Sequence, residues 1–123
     1  MKRSNPRLAV SAALIILLAG PFAPGTTLAA GAAGSVEAGK AIAFDRAKGN
    51  CLACHRIEGG ESPGNIAPPL MAMKARYPNR SVLRAQIFDP TARNPLTSMP
   101  PFGKHRILSE VELEQVVDFI WSL

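Results

Sequence analysis

Cysteine is scarce in this chain: of 123 residues only Cys51 and Cys54 are cysteines. One pair cannot build the disulfide framework on which many small exported domains depend, least of all if both thiols are committed elsewhere. A Cys-x-x-Cys pair can serve thiol–disulfide exchange, but that chemistry needs a strand before a helix in a βαβ unit, and the residues preceding Cys51 carry a helical pattern. Histidine is limited to His55 and His105, so the H-x3-5-H spacing of a zinc site is missing. No acidic residue precedes Glu37. The long apolar run from Leu8 to Gly20 is shorter than the about twenty residues that a membrane-spanning helix requires.

What the chain does have begins with an address. Lys2, Arg3 and Arg7 accompany the start of that apolar run, and small residues follow it around Thr27-Leu28-Ala29-Ala30. This is the order of a cleavable secretory signal, expected over residues 1–30, with residues 31–123 as one mature domain and no membrane span after cleavage. Cleavage removes three of the 14 Lys+Arg, leaving 11 against 9 Asp+Glu, so the formal charge drops from +5 to +2. The high isoelectric point is mostly the leader's, and no nucleic-acid partner is implied. The remaining charge is uneven. Lys74, Arg76, Arg80, Arg84, Arg93, Lys104 and Arg106 share their stretch with one acid, Asp89, whereas Glu110, Glu112, Glu114 and Asp118 crowd the C-terminal segment. Either this is solvated surface, or the basic residues form a rim that steers a negatively charged partner.

A domain this small buries a modest fraction of its surface and commonly needs a staple or cofactor to complete its core. The stretch Cys51-Leu52-Ala53-Cys54-His55 offers one. Two cysteines two residues apart, with histidine next, is the spacing of c-type haem attachment. Both sulfurs can reach the two vinyl groups along one porphyrin edge, and the next side chain turns under the ring. Cys51 and Cys54 are therefore expected to anchor one haem c covalently, and His55 to ligate the iron. A methionine on the other face would give an electron-transfer site of raised potential.

Of the four methionines, Met99 in Ser98-Met99-Pro100-Pro101-Phe102-Gly103 has the best surroundings, because two prolines hold the backbone beside a weak thioether ligand. The alternative is a packing methionine. His105 is the rival axial ligand, but Lys104 and Arg106 flank it and place it toward solvent. Phe102 is expected to shield the haem from water. Pro68, in Ile66-Ala67-Pro68-Pro69-Leu70, is expected to offer the carbonyl that accepts the other ring N–H of His55 and fixes its tautomer. A plain loop stiffened by two prolines is the alternative there.

The pattern around these residues is helical. A first helix is expected from Val36 to Lys48, capped by Ser35, with Gly31 to Gly34 as a flexible lead-in. Gly39 inside it costs about 1 kcal/mol against alanine, which a close helix crossing would justify. Short helices follow at Leu70–Tyr77, with Met71 and Met73 as core filling, and at Val82–Phe88, capped by Ser81. Ser109 and Glu112 form a capping box before a last helix in which Leu113, Val116, Val117 and Ile120 recur at i, i+3, i+4 and i+7. Phe119 or Trp121 is expected to pack near Gly39.

Helix, Cys-x-x-Cys-His, proline loop, methionine loop and capped C-terminal helix together resemble the class I cytochrome c fold, an all-α architecture of three to five helices wrapped around one covalently attached haem. Four stretches are similar more specifically to the SoxX family: Gly49-Asn50-Cys51-Leu52-Ala53-Cys54-His55, Gly64-Asn65-Ile66-Ala67-Pro68-Pro69-Leu70, Arg84-Ala85-Gln86-Ile87-Phe88-Asp89 and Met99-Pro100-Pro101-Phe102-Gly103-Lys104-His105. SoxX proteins are monohaem subunits of the bacterial thiosulfate-oxidising SoxAX complex. The resemblance implies haem residues Cys51, Cys54, His55 and Met99, a periplasmic location and a SoxA-like dihaem or monohaem partner. It also implies contact, through the complex, with a SoxYZ-like carrier whose cysteine receives thiosulfate, and electrons passed on to small acceptor cytochromes. The family's catalytic centre is a cysteine-ligated haem in SoxA, and no third cysteine exists here to copy it. The chain is thus expected to be the non-catalytic redox subunit of an L-cysteine S-thiosulfotransferase complex. Competing readings are a free diffusible monohaem carrier and, less favoured by the two prolines, a sensor or peroxidase-like site with a displaceable methionine.

Overall fold

Alanine is the strongest helix former, and the alanine-rich stretch ahead of the Cys-x-x-Cys-His motif forms a longer helix than the pattern predicts. In the computed structural model the described residues are 28–123, with side chains from Ser35 onward. The expected export segment, residues 1–30, lies outside them but for its last three positions. Helix α1 spans Leu28–Phe44, α2 Met73–Arg76, α3 Arg80–Phe88 and α4 Glu110–Ser122, with 3-10 turns at Cys51–Ala53 and Pro90–Ala92. Among the described residues the strand-like pairing is one isolated parallel bridge between Ile57 and Leu70. The fold is all-α, and no described helix is long and apolar enough to cross a membrane.

Helix α1 therefore starts well before Val36 and takes in the Gly31–Gly34 stretch expected to be flexible. Ser35 is not its cap: the hydroxyl donates to Asp118 Oδ2 at 2.7 Å, tying α1 to α4. The helix stops at Phe44 rather than Lys48 because Asp45 turns the chain. Its Oδ1 accepts from Ala47 N at 2.8 Å, and its carbonyl accepts from Asn50 N at 2.9 Å. Asn50 then takes a left-handed conformation, φ 46, which starts the motif at the foot of α1.

The last helix forms where local signals place it. Ser109 Oγ accepts from Glu112 N at 3.3 Å while Glu112 Oε2 accepts from Ser109 N at 3.0 Å, so two otherwise orphaned N–H groups are satisfied. Its apolar stripe, Leu113, Val116, Val117 and Ile120, is buried with Met73, Leu83, Ile87 and Leu108. Each such side chain contributes about 1.5–3 kcal/mol by leaving water. Helices α1 and α4 cross at Gly39, where an added Cβ would lie 1.9 Å from Gln115 O and 2.9 Å from Phe119 Cβ. Phe119 is the aromatic at that crossing, and Phe44 meets it edge-on at 5.9 Å. Trp121 goes elsewhere, donating from Nε1 to Tyr77 O at 3.0 Å.

The middle of the chain departs most from expectation. Leu70 is extended, donating its N–H to Arg56 O at 2.9 Å, so α2 shrinks to a single turn. Met73 is buried as expected, but Met71 is 62% exposed and fills no core. Helix α3 starts at Arg80 because Asn79, not Ser81, caps it. Asn79 Oδ1 accepts from Ser81 N at 2.9 Å and also takes the Ser81 hydroxyl at 2.8 Å.

Candidate functional site

The Cys51–Ala53 turn curls so that His55 N and Cys54 N both donate to Cys51 O, at 2.9 and 3.3 Å. This presents Cys51, Cys54 and His55 from one tight bend. The loop that follows is laced back onto the motif by main-chain hydrogen bonds: Gly64 N to Leu52 O at 2.7 Å, Ala67 N to Cys54 O at 3.1 Å and Leu70 N to Arg56 O at 2.9 Å. Gly64 makes the lacing possible, since a Cβ there would stand 2.1 Å from Ala53 O.

The lacing delivers Pro68 to His55. Pro68 O lies 2.7 Å from His55 Nδ1. A carbonyl can only accept, so Nδ1 carries the proton and the Nε2 lone pair is left for a metal. Arg76 Nη1 donates to the neighbouring Pro69 O at 2.8 Å, holding the next carbonyl of the same segment.

Met99 arrives from the far side of the sequence. Its N–H donates to Thr97 Oγ1 at 3.2 Å, and its half-buried side chain packs on the same core cluster as Cys51, Leu52 and Leu70. The loop beyond it is pinned to the end of α3, because Gly103 N and Lys104 N both donate to Phe88 O at 3.1 Å. Gly103 has no room for a side chain, its Cβ position lying 2.0 Å from the Phe88 ring. Phe102 is buried in the core. His105 is exposed.

The donor set fits haem c. Cys51 and Cys54 are free of each other as thiols, and burial pushes the Cys51 thiol up from 9.0 to about 11. A neutral, half-buried thiol with a raised pKa is the opposite of the lowered thiolate that exchange chemistry requires. Among the described residues no cluster of three or more His, Cys, Asp or Glu side chains could hold a bare metal ion.

Three of the seven basic residues in the stretch are answered by carboxylates. Arg80 pairs with Asp118, Nε to Oδ1 at 2.7 Å, and with Glu114 at 2.8 Å. Arg84 pairs with Glu114 and, at 2.6 Å, with Glu110, while Lys104 holds Asp89 at 2.8 Å. Arg84 first, with Arg80, keeps the Glu114 carboxyl below its usual range. The acids of α4 and the cations of α3 thus answer one another.

Sequence reasoning missed three supporting residues. Gly64 stood among turn formers with nothing to mark its contact. Arg76 had only its charge, and Thr97 only its place two residues before Met99.

The sequence profile of the Cytochrome c family matches residues 36–123. No curated protein sequence matches the chain. Among solved structures, the chain is similar to one in the crystal structure of SoxXA from P. pantotrophus, at 30% identity over 71% of this chain and 80% of that chain, with a TM-score of 0.64.

Proposed function

Because this chain belongs to the cytochrome c family, as a SoxX-like class I member that carries covalent haem c and transfers electrons, we propose that its iron is held between His55 and Met99 and that it works in the periplasm as the electron-accepting subunit of a SoxAX-like complex. The observation that carries the axial assignment is the 2.7 Å contact between His55 Nδ1 and Pro68 O. It supports Nε2 as the free ring nitrogen. Bound haem supplies a one-electron iron couple.

The chain's own residues do the rest. Cys51 and Cys54 fasten one edge, His55 offers Nε2, and the Pro68 carbonyl raises the basicity of that nitrogen. Met99 is steadied by Thr97 and by the anchored prolines, which keeps the thioether in place through a change of charge. Removal of residues 1–30 accompanies export in this reading. Thiosulfate is joined to the cysteine of a SoxYZ-like carrier at the partner subunit, and electrons leave this chain toward small acceptor cytochromes.

Exposed apolar side chains support a dedicated partner over free diffusion: Leu96 is 92%, Ile66 77% and Met71 62% exposed. Unpaired large apolar residues of this kind suit an interface. The test is to tag the chain in a sulfur-oxidising bacterium, isolate it from the periplasm, and ask what co-elutes and whether thiosulfate with the carrier reduces its haem. Co-elution of a second haem protein and carrier-dependent reduction are the expected results. A monomer that thiosulfate and carrier leave oxidised, yet that exchanges electrons with soluble cytochromes, would replace this reading with that of a free carrier.

A further inference from the structure

Two stretches that stood out in the sequence, residues 84–89 and 99–105, meet at one carboxylate. Asp89 stands where α3 ends and the loop toward Met99 begins. Its two oxygens serve opposite ends of that loop. Oδ1 accepts from Thr91 N at 3.1 Å and from the Thr91 hydroxyl, at the departure, while Oδ2 accepts from Lys104 Nζ at 2.8 Å, at the return. Beside it Phe88 O takes the N–H groups of Gly103 and Lys104, both at 3.1 Å. Residues 90–103 are thus drawn shut at a neck.

Little else holds the loop. Between Pro90 and Phe102 the rest of the chain buries no side chain, and from Thr91 to Pro101 the hydrogen bonds among the described residues stay within 89–105. A segment with few buried contacts opens at small cost in free energy, so its attachment points decide how often it does. The neck is built to stay charged: the Asp89 side chain is 17% exposed, and Lys104 first, then Thr91, keeps its carboxyl below the ordinary range. An incoming ligand reaches an iron that Met99 covers only when the loop is open, and its apparent affinity scales with that open fraction.

We propose that Asp89 and Lys104 are positioning residues for Met99: their ion pair closes the neck of the loop and so keeps the thioether on the iron against competing ligands. This rests on Met99 as an axial ligand, and the experiment keeps the two claims apart.

Ferric holoprotein would be prepared as wild type, Lys104→Gln, Lys104→Arg, Asp89→Asn and the double variant Asp89→Asn/Lys104→Gln. Imidazole would be titrated into each, and its affinity read from the loss of the charge-transfer band of thioether-bound iron. Imidazole should bind about three- to tenfold more tightly to Lys104→Gln and Asp89→Asn, the range for loss of one partly exposed ion pair. Lys104→Arg should stay near wild type, and the double variant should match the single ones, because the second change removes nothing further. Lys48→Gln is the control: it breaks an ion pair with Glu112 at a lysine of similar exposure, away from the loop, and should leave imidazole affinity unaltered. Equal affinity in wild type and Lys104→Gln would overturn the proposal, as would additive effects in the double variant or an equal rise in Lys48→Gln. Lys104 is exposed, so its variants decide the matter even if Asp89→Asn loads haem poorly. A wild-type ferric spectrum without the thioether band would instead sink Met99 as ligand. Amide exchange at Gly103 and Lys104, faster in Lys104→Gln if the neck is tied, reads the ion pair independently of that outcome.

Discussion

At Gly39 there is no space for one methyl group: a Cβ would lie 1.9 Å from a main-chain oxygen of α4, an atom that cannot swing aside. Gly39→Ala must push α1 and α4 apart, and overpacking of this kind costs about 1–3 kcal/mol. Urea unfolding of the holoprotein should register that loss, and an unchanged midpoint would mean the crossing is looser than described. The axial residues make a second comparison. Met99→Ala is expected to lower the reduction potential and open the iron to carbon monoxide, because a half-buried thioether is lost from the core face it packs against. His105→Ala should leave the visible spectrum unaltered, its side chain being exposed. An unaltered spectrum in Met99→Ala instead would remove that residue from the site.

Among the elements, α4 is the most self-sufficient and the easiest to perturb at one end. Ser109→Ala removes the cap and should cost about 1 kcal/mol. The Lys48 side chain first, then Ser109, holds the Glu112 carboxyl at about 2 against an ordinary 4.5. A depressed carboxylate stabilises the fold fully above its unfolded value and loses that effect as pH falls toward the folded one. Wild type and Glu112→Gln should therefore differ in urea midpoint at pH 6 and converge between about pH 4.5 and 2. A gap that persists at pH 2 would assign the difference to packing. This helix was legible in the sequence because its cap and stripe are local. Helices α2 and α3 were less so. Leu70 reads as a helix start, yet it is drawn out straight by pairing with Ile57, a partner beyond any short window. Asn79 and Ser81 are both good caps, and the earlier one took the helix end.

Over the whole molecule, charge was the least legible property. The seven basic residues read as either solvated surface or a rim, since a run in sequence says nothing of what faces it; Arg80, Arg84 and Lys104 are spent on Asp118, Glu114, Glu110 and Asp89, while Lys74, Arg76, Arg93 and Arg106 meet no carboxylate among the described residues. Exposed pairs like these contribute little, about 0–1 kcal/mol each. Electron exchange with an acidic partner should therefore slow with added salt only as far as the four unpaired cations steer it, which stopped-flow rates between low and high salt would check; salt-independent rates would leave them as ordinary surface. The Cys-x-x-Cys-His motif, by contrast, is five consecutive residues, and Pro68 stands out by chemistry. Gly64 and Arg76 act through main-chain oxygens that no pattern of side chains announces. Replacing both Cys51 and Cys54 with serine should abolish covalent haem and, with it, the folded soluble domain, as circular dichroism would report. The clasp between α1 and α4 also sets an order of events. A chain that is exported unfolded offers the thiols of Cys51 and Cys54 before Leu113 to Ile120 have docked on α1. Attachment can then come first, and the last thirteen-residue helix shuts the door afterwards instead of having to be pried from it.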